Sequence, residues 1–380
     1  MEYIDRSIEN KKVIWFKLNN QYLLLEIPAY EVVVKLLNGD DPDDIALWCA
    51  GKYELPDEES TRFVTEIRQL VEQQTVVQTP ALKTFPPIPD ESVPLQFYSV
   101  KHYLVNNCAF SAEYETDWIE HLIHPKFAHL EVNSSIDFDY YFQVFQVNDR
   151  FALRVNGAII GQWLPEDAHF LAGKFSMEMV NRMGDRQHEN EWMAVFHASA
   201  VQRDNHCVLF LGDSGNGKST TCAILMSSGF DLVADDFVPV DAVSRKVFCF
   251  PAAVSVKKNA VDYLLFRYPQ LESAAEFYYP DMDKTVRYLA PSLPSGNQPI
   301  SYPCEALIFV KYQQDSGLLM ERMPADVAFQ HLVPDSWISP LPENASLFLD
   351  WFLQMPCYRL TYSDNEAMVS AISALFENEL

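Results

Sequence analysis

Nine consecutive residues, Gly212-Asp-Ser-Gly-Asn-Gly-Lys-Ser-Thr220, contain the pattern GxxxxGK[ST]. A loop of this kind, called Walker A, holds phosphate. Small residues let its backbone N–H groups turn inward onto phosphate oxygens. A helix starting near Lys218 aims the positive end of its dipole at the same anion. Lys218 then reaches the β and γ phosphates, and the Ser219 hydroxyl ligates Mg²⁺. The expected cofactors are ATP and Mg²⁺. The expected contacts are Gly212, Asp213, Ser214, Gly215, Asn216, Gly217, Lys218, Ser219 and Thr220. Glycine is scarce, 12 in 380 residues, yet three fall at 212, 215 and 217. The backbone freedom of the chain is concentrated where phosphate would bind.

The flanking pattern supports this chemistry. An apolar strand, Cys207 to Leu211, precedes the loop, and a helix over Ser219 to Ser228, closed by Gly229, follows it. Next comes Phe230-Asp-Leu-Val-Ala-Asp-Asp236, a short apolar strand ending in paired aspartates. Carboxylates at the C-terminal end of such a strand face the ligand crevice of an open α/β sheet. One can hold the metal, and the other can take a proton from an attacking hydroxyl. His197 lies in an apolar stretch, Val195-Phe-His-Ala-Ser-Ala200, ahead of the loop strand. By itself it reads as a core histidine. His102, His121, His124 and His129 lack metal-ligand spacing and read as surface or packing residues.

Composition narrows the partners. The chain has 28 basic and 53 acidic residues, for a net charge of −25. A binder of nucleic acid needs a basic surface, so nucleic acid is excluded as the main partner. The same field opposes docking on an anionic membrane. No apolar run nears the ~20 residues that span a bilayer, and the start, Met1-Glu-Tyr-Ile-Asp5, lacks the features of a signal peptide. The expected location is the cytoplasm. Seven dispersed cysteines without a CxxC pair indicate neither a disulfide framework nor a zinc site.

Five prolines, at 80, 86, 87, 89 and 94, mark a stiff linker over residues 80–94. Before it, Lys12 to Leu18 and Gln21 to Ile27 read as a hairpin turning at Asn19-Asn20. A helix then starts at Pro28 and stops at Asn38-Gly39. A second spans Asp41 to Lys52. Asp57 can N-cap a third, whose Phe63, Val64, Ile67, Leu70 and Val71 recur at helical spacing. This is a small α+β arrangement of winged-helix type. After the linker, Tyr140 to Val147 and Phe151 to Ile160 read as strands and Asp167 to Met183 as a helix. From residue 195 strand and helix alternate, the mark of an α/β sheet.

With His197, Gly212 to Ser219 and Gly229 to Asp236 together, the chain resembles the kinase domain of the HPr kinase/phosphorylase family. The resemblance implies a P-loop α/β kinase domain over residues 95–380, with 95–195 its variable part. It implies that Asp235 is the general base, that Asp236 is a Mg²⁺ ligand beside Ser219, and that His197 tunes Asp235. Lys257, Lys284 and Arg287 are further candidates for phosphate or substrate contacts. Thr220 stands where the family usually has glutamate, and the family's basic C-terminal signature is not recognisable. Residues 1–79 resemble a PqqD-type peptide-recognition domain, through Tyr22 to Gly39 and Phe63 to Val71. The expected function is ATP-dependent phosphorylation of a serine or similar hydroxyl on a peptide or protein, in the setting of ribosomal peptide modification. The expected partner is a precursor peptide held by residues 1–79, and an oligomer is compatible with the sequence. The alternatives are a kinase of a small-molecule hydroxyl and a nucleotide-binding regulator that transfers nothing. A pure binder needs no second carboxylate beside the metal ligand, so the aspartate pair favours transfer.

Overall fold

The computed structural model describes residues 2–76, 85–88, 96–133, 137–279, 283–292 and 299–377. The chain is mixed α/β and divides into two compact units. The first comprises residues 1–83, 323–334 and 338–354, and the second 84–322, 335–337 and 355–380.

The first unit opens with an antiparallel meander, Tyr3–Ile8, Lys11–Phe16 and Gln21–Glu26. The sequence reading finds the last two strands and misses the first, because Asp5 and Arg6 interrupt its apolar pattern. Arg6 is held at 2.7 Å by Asp350, a partner that no local pattern reveals. Three helices follow, Ile27–Asn38, Pro42–Tyr53 and Asp57–Thr75. Gly39 closes the first at φ 86°, and Asp41 caps the second by accepting from the Asp43 N–H at 2.9 Å. Asp57 is the first helical residue of the third rather than its cap, a place occupied by Pro56. There its carboxylate still favours the positive helix end.

Val13-Ile14-Trp15-Phe16 is buried without alternation, so this sheet is covered on both faces. Ile14 and Phe16 pack with Val33 and Val71. On the other face, Tyr22 meets Phe329 and Phe348 edge-on, with ring centroids 6.0 and 5.6 Å away. Those phenylalanines belong to the helices Ala325–Leu332 and Pro342–Phe352. The compact unit therefore reaches beyond the expected 1–79 and takes in two helices from the C-terminal half.

Of the linker residues 80–94, only 85–88 are among the described residues, so Pro80, Pro89 and Pro94 lie outside them. Ile88 packs against Phe145, Val147 and Ala152, and the Pro86 carbonyl accepts from Gln162 at 3.1 Å. This stretch runs along the five-stranded sheet formed, in order, by Ser99–Val105, Cys108–Tyr114, Tyr140–Val147, Arg150–Val155 and Ala158–Trp163. The single strand expected over Phe151 to Ile160 is two strands. Asn156 and Gly157, at φ 46° and 85°, form a tight hairpin turn between them.

The sheet that positions the site has six strands. In order they are Asp231–Asp235, Ser199–Arg203, His206–Leu211, Cys304–Tyr312, Cys357–Tyr362 and Leu318–Arg322. His206–Leu211 runs parallel to Cys304–Tyr312, which runs parallel to Cys357–Tyr362. Ser199–Arg203 is antiparallel to both of its neighbours. The C-terminal ends of Asp231–Asp235 and His206–Leu211 thus share one edge with the start of Ser199–Arg203. Val208 to Phe210 are wholly buried, as strands covered on both faces require. Among the described residues no helix is long and apolar enough to cross a membrane.

Removing residues 1–83 strips Phe329 and Phe348 of their cover. The fragment 84–380 is expected to precipitate or to bind a hydrophobic dye, and Phe348→Ala in the full chain to cost about 3–5 kcal/mol. A soluble 84–380 fragment with a cooperative melt would show that the two helices need no meander.

Candidate active site

The loop strand ends at Leu211 and the helix Lys218–Met226 begins seven residues later. Gly212, at φ 128°, passes so close to its neighbour strand that a Cβ there would lie 2.9 Å from the Val310 carbonyl oxygen. Gly217, at φ 99°, is the N-cap of the helix. The Tyr312 N–H donates to the Asn216 carbonyl at 2.9 Å and ties the loop to the central strand. Lys218 arches back over the loop, donating to the Gly212 carbonyl at 2.5 Å and the Asp213 carbonyl at 3.4 Å. Burial pushes its ammonium below the ordinary lysine range, against the pull of Asp235 and Asp236. A cation held partly dry beside inward N–H groups is suited to phosphate.

The two aspartates have different surroundings. Asp235 is 2% exposed. Its Oδ1 accepts from the Ser199 hydroxyl at 2.5 Å and the Ser219 hydroxyl at 3.0 Å, and its Oδ2 accepts from the Ser255 N–H at 3.3 Å. Burial lifts its carboxyl above the usual range, and the hydroxyl donors offset only part of that. Asp236 leaves the strand at φ 77°, with a side chain 42% exposed. One oxygen meets Lys126 at 3.1 Å and the other meets His197 Nδ1 at 3.1 Å. Burial alone would raise its carboxyl, but Lys126 and His197 outweigh it and hold it well below the usual range.

This geometry corrects two expectations. The carboxylate beside Ser219 is Asp235, not Asp236. The partner of His197 is Asp236, not Asp235. Consecutive residues at a strand end point to opposite sides, and the pairing of Ser199 with Asp235 fixes which side is which.

Lys218, Ser219, Asp235, Asp236 and His197 open onto one cavity of about 410 Å³, together with Ser214, Gly215, Gly217 and Thr220. Tyr263, Tyr312 and Tyr362 form an aromatic wall of it. A second chamber of about 870 Å³ adjoins it and shares His197, Asp236, Lys257 and Lys284. Lys257 donates to the Ser214 hydroxyl at 3.3 Å. Arg287, expected near the phosphoryl group, is elsewhere. Its guanidinium is taken by the Leu271 and Glu272 carbonyls and by Glu276. The four histidines read from the sequence as surface or packing residues line neither cavity. His102 stacks on Phe138, His121 lies beside Phe277, and His124 and His129 bond to Tyr103 and the Pro251 carbonyl.

Sequence reasoning missed Lys126, which sits on a short 3₁₀ turn 110 residues before its partner. It also missed Ser199 and Ser255. A serine inside the apolar run Ala198-Ser199-Ala200 was the available signal, since a buried hydroxyl needs a partner.

The oxygen donors fit Mg²⁺. Ser219 and Asp235 are adjacent, and the Ser255 hydroxyl beside them is buried without a hydrogen-bond partner. Among the described residues no group of three His, Cys, Asp or Glu side chains could hold a metal by itself. Mg²⁺ commonly takes one or two carboxylates and fills its shell with water and substrate phosphates. The donor set therefore suits a metal that arrives with a nucleotide.

The opposite shifts of the two aspartates predict opposite stability effects. Asp235, raised on folding, costs stability at neutral pH, a cost relieved as pH falls towards the ordinary aspartate value of about 4. Asp236, depressed on folding, contributes stability that is present above about 4 and fades only in strong acid. Asp235→Asn is expected to raise the thermal midpoint at pH 7. Asp236→Asn should lower it, with a loss of stability no greater than about 1 kcal/mol because solvent screens a half-exposed group. Calorimetry of both variants checks this, and equal signs would refute the electrostatic assignment.

No family model and no curated protein matches this chain. Among solved structures it is similar to the Hpr(Ser) kinase/phosphatase from Coxiella burnetii, at 12% sequence identity and a TM-score of 0.21, over 48% of this chain and 94% of that one.

Proposed function

We propose that the protein is an ATP-dependent kinase that transfers the γ-phosphoryl group to a hydroxyl of its acceptor. One observation carries this reading: Lys218, the Ser219–Asp235 pair and the His197–Asp236 pair open onto the same cavity. The loop N–H groups and Lys218 bind the phosphates. Mg²⁺, held by Ser219 and Asp235, supplies neutralisation of the phosphate charge when bound. His197 donates from Nδ1 to Asp236, which leaves Nε2 to take a proton. Asp236, held acidic by Lys126, is too weak a base for that work and serves to orient the ring. In the reaction the acceptor hydroxyl oxygen forms its bond to the γ-phosphorus as the bond from that phosphorus to the β–γ bridging oxygen breaks. The hydroxyl proton passes to His197, and ADP leaves with the bridging oxygen.

This assignment moves the base from Asp235 to His197 and the metal ligand from Asp236 to Asp235. A nucleotide-binding regulator would need the Ser219–Asp235 pair but not the second pair, so the second pair favours transfer. The delivery of a peptide acceptor by residues 1–79 is the second reading. It is favoured by the strand Gln21–Glu26, which pairs on one side only among the described residues, as an edge-strand dock requires.

The test is incubation with γ-labelled ATP, Mg²⁺ and candidate acceptors, read by mass spectrometry, beside Lys218→Ala. The variant is expected to fold normally and to lose Mg·ATP affinity by about ten- to a hundredfold, as for a lost charge-assisted contact. Unchanged binding would refute the phosphate-loop reading.

A further inference from the structure

The second chamber is basic in an acidic protein. Lys126, Lys257, Lys258 and Lys284 line it, against Asp236 and Asp283, whereas the whole chain carries −25. Most of these cations are engaged. Lys126 is held by Asp236 at 3.1 Å, Lys258 by Glu276 at 3.6 Å, and Lys257 by the neutral Ser214 hydroxyl. The Lys284 ammonium has no hydrogen bond or ion pair among the described residues, although the side chain is half-buried at the junction of the two cavities. Burial pushes its ammonium below the ordinary lysine range, a cost that an anion beside it would offset.

The rest of the lining mixes apolar and aromatic side chains, Phe127, Phe237, Tyr279 and Tyr288 among them, with polar ones such as His169, Ser176 and Thr285. A chamber of about 870 Å³ falls within the size range of sites that enclose whole small molecules. The side chain of a serine on a protein surface would fill only its mouth. His197 and Asp236 stand at the entrance from the nucleotide cavity, where an acceptor hydroxyl must come.

We propose that the chamber binds a small hydroxylated anion, whose carboxylate or phosphate sits on Lys284 while its hydroxyl faces His197. This rests on the kinase reading and names the acceptor class for it. Lys257, which also borders both cavities, is free to swing from Ser214 to the transferring phosphoryl group.

The experiment fills the nucleotide cavity first. The full chain is saturated with Mg²⁺ and a non-hydrolysable ATP analogue, and that titration is recorded. D-glycerate, glycerol 3-phosphate, inorganic phosphate and neutral glycerol are then titrated separately into wild type and Lys284→Met. At least one anion is expected to bind wild type, and about ten- to a hundredfold more weakly to the variant, with glycerol silent and the analogue's affinity falling far less than the anion's. The glycerate and phosphate arms tell a carboxylate site from a phosphate site. Two outcomes overturn the proposal: no anion binds in a Lys284-dependent way, or Lys284→Met weakens the analogue as much as the anion. Failure of the analogue to bind wild type would count against the kinase reading instead. Anion titration without nucleotide then still reads Lys284 on its own.

Discussion

One buried carboxylate organises this site. Asp235 ends its strand beneath the phosphate-loop helix and accepts from Ser199 on the neighbouring strand, from Ser219 on the helix and from the Ser255 backbone. A charge this dry is unfavourable by itself, and the donors around it compensate only in part. Mg²⁺ would complete the compensation, so the local instability is the counterpart of metal affinity. Everything else in the site is set relative to this point. The helix can approach only because Gly212 carries no Cβ against the Val310 carbonyl, and Asp236 can turn towards His197 only by leaving the strand in the left-handed region.

The second carboxylate works in the opposite electrostatic sense. Lys126 and His197 keep Asp236 ionised, each within 3.1 Å of one of its oxygens. Adjacent residues thus acquire opposite electrostatic character from their surroundings alone. The lysines of the second chamber extend the same logic, because a local basic field in a strongly acidic protein attracts an anion to one place and repels it from most of the remaining surface.

Much of the site was legible in residues 197–236, where strand, loop, helix and strand follow each other and each position demands a particular residue type. The assignment of the two aspartates was not. It depends on the register of Asp231–Asp235 against Ser199–Arg203, a tertiary fact. Lys126 left no trace, since a lysine on a short turn has no pattern that points to a partner so far along the chain. Arg287 stood as a candidate phosphate or substrate contact beside Lys284, but residues three apart on a strand point to opposite faces, and Arg287 meets Glu276. In the first unit the sequence pointed to a hairpin, and the structure buries the run Val13 to Phe16 on both faces. A two-stranded hairpin with three helices supplies only one cover, and the other comes from Phe329 and Phe348 on helices that the sequence order assigns elsewhere.

The central claim is the division of labour between Asp235 and the His197–Asp236 pair. It is tested most directly by measuring Mg²⁺-dependent ATP affinity and the single-turnover transfer rate in Asp235→Asn and His197→Gln. The account predicts that Asp235→Asn loses the Mg²⁺ dependence of ATP binding. His197→Gln should bind Mg·ATP as wild type does yet transfer about 10²–10⁴-fold more slowly, the usual loss when a general base is removed. Normal Mg·ATP binding by Asp235→Asn with transfer abolished, together with full activity in His197→Gln, would contradict it and return the base role to Asp235.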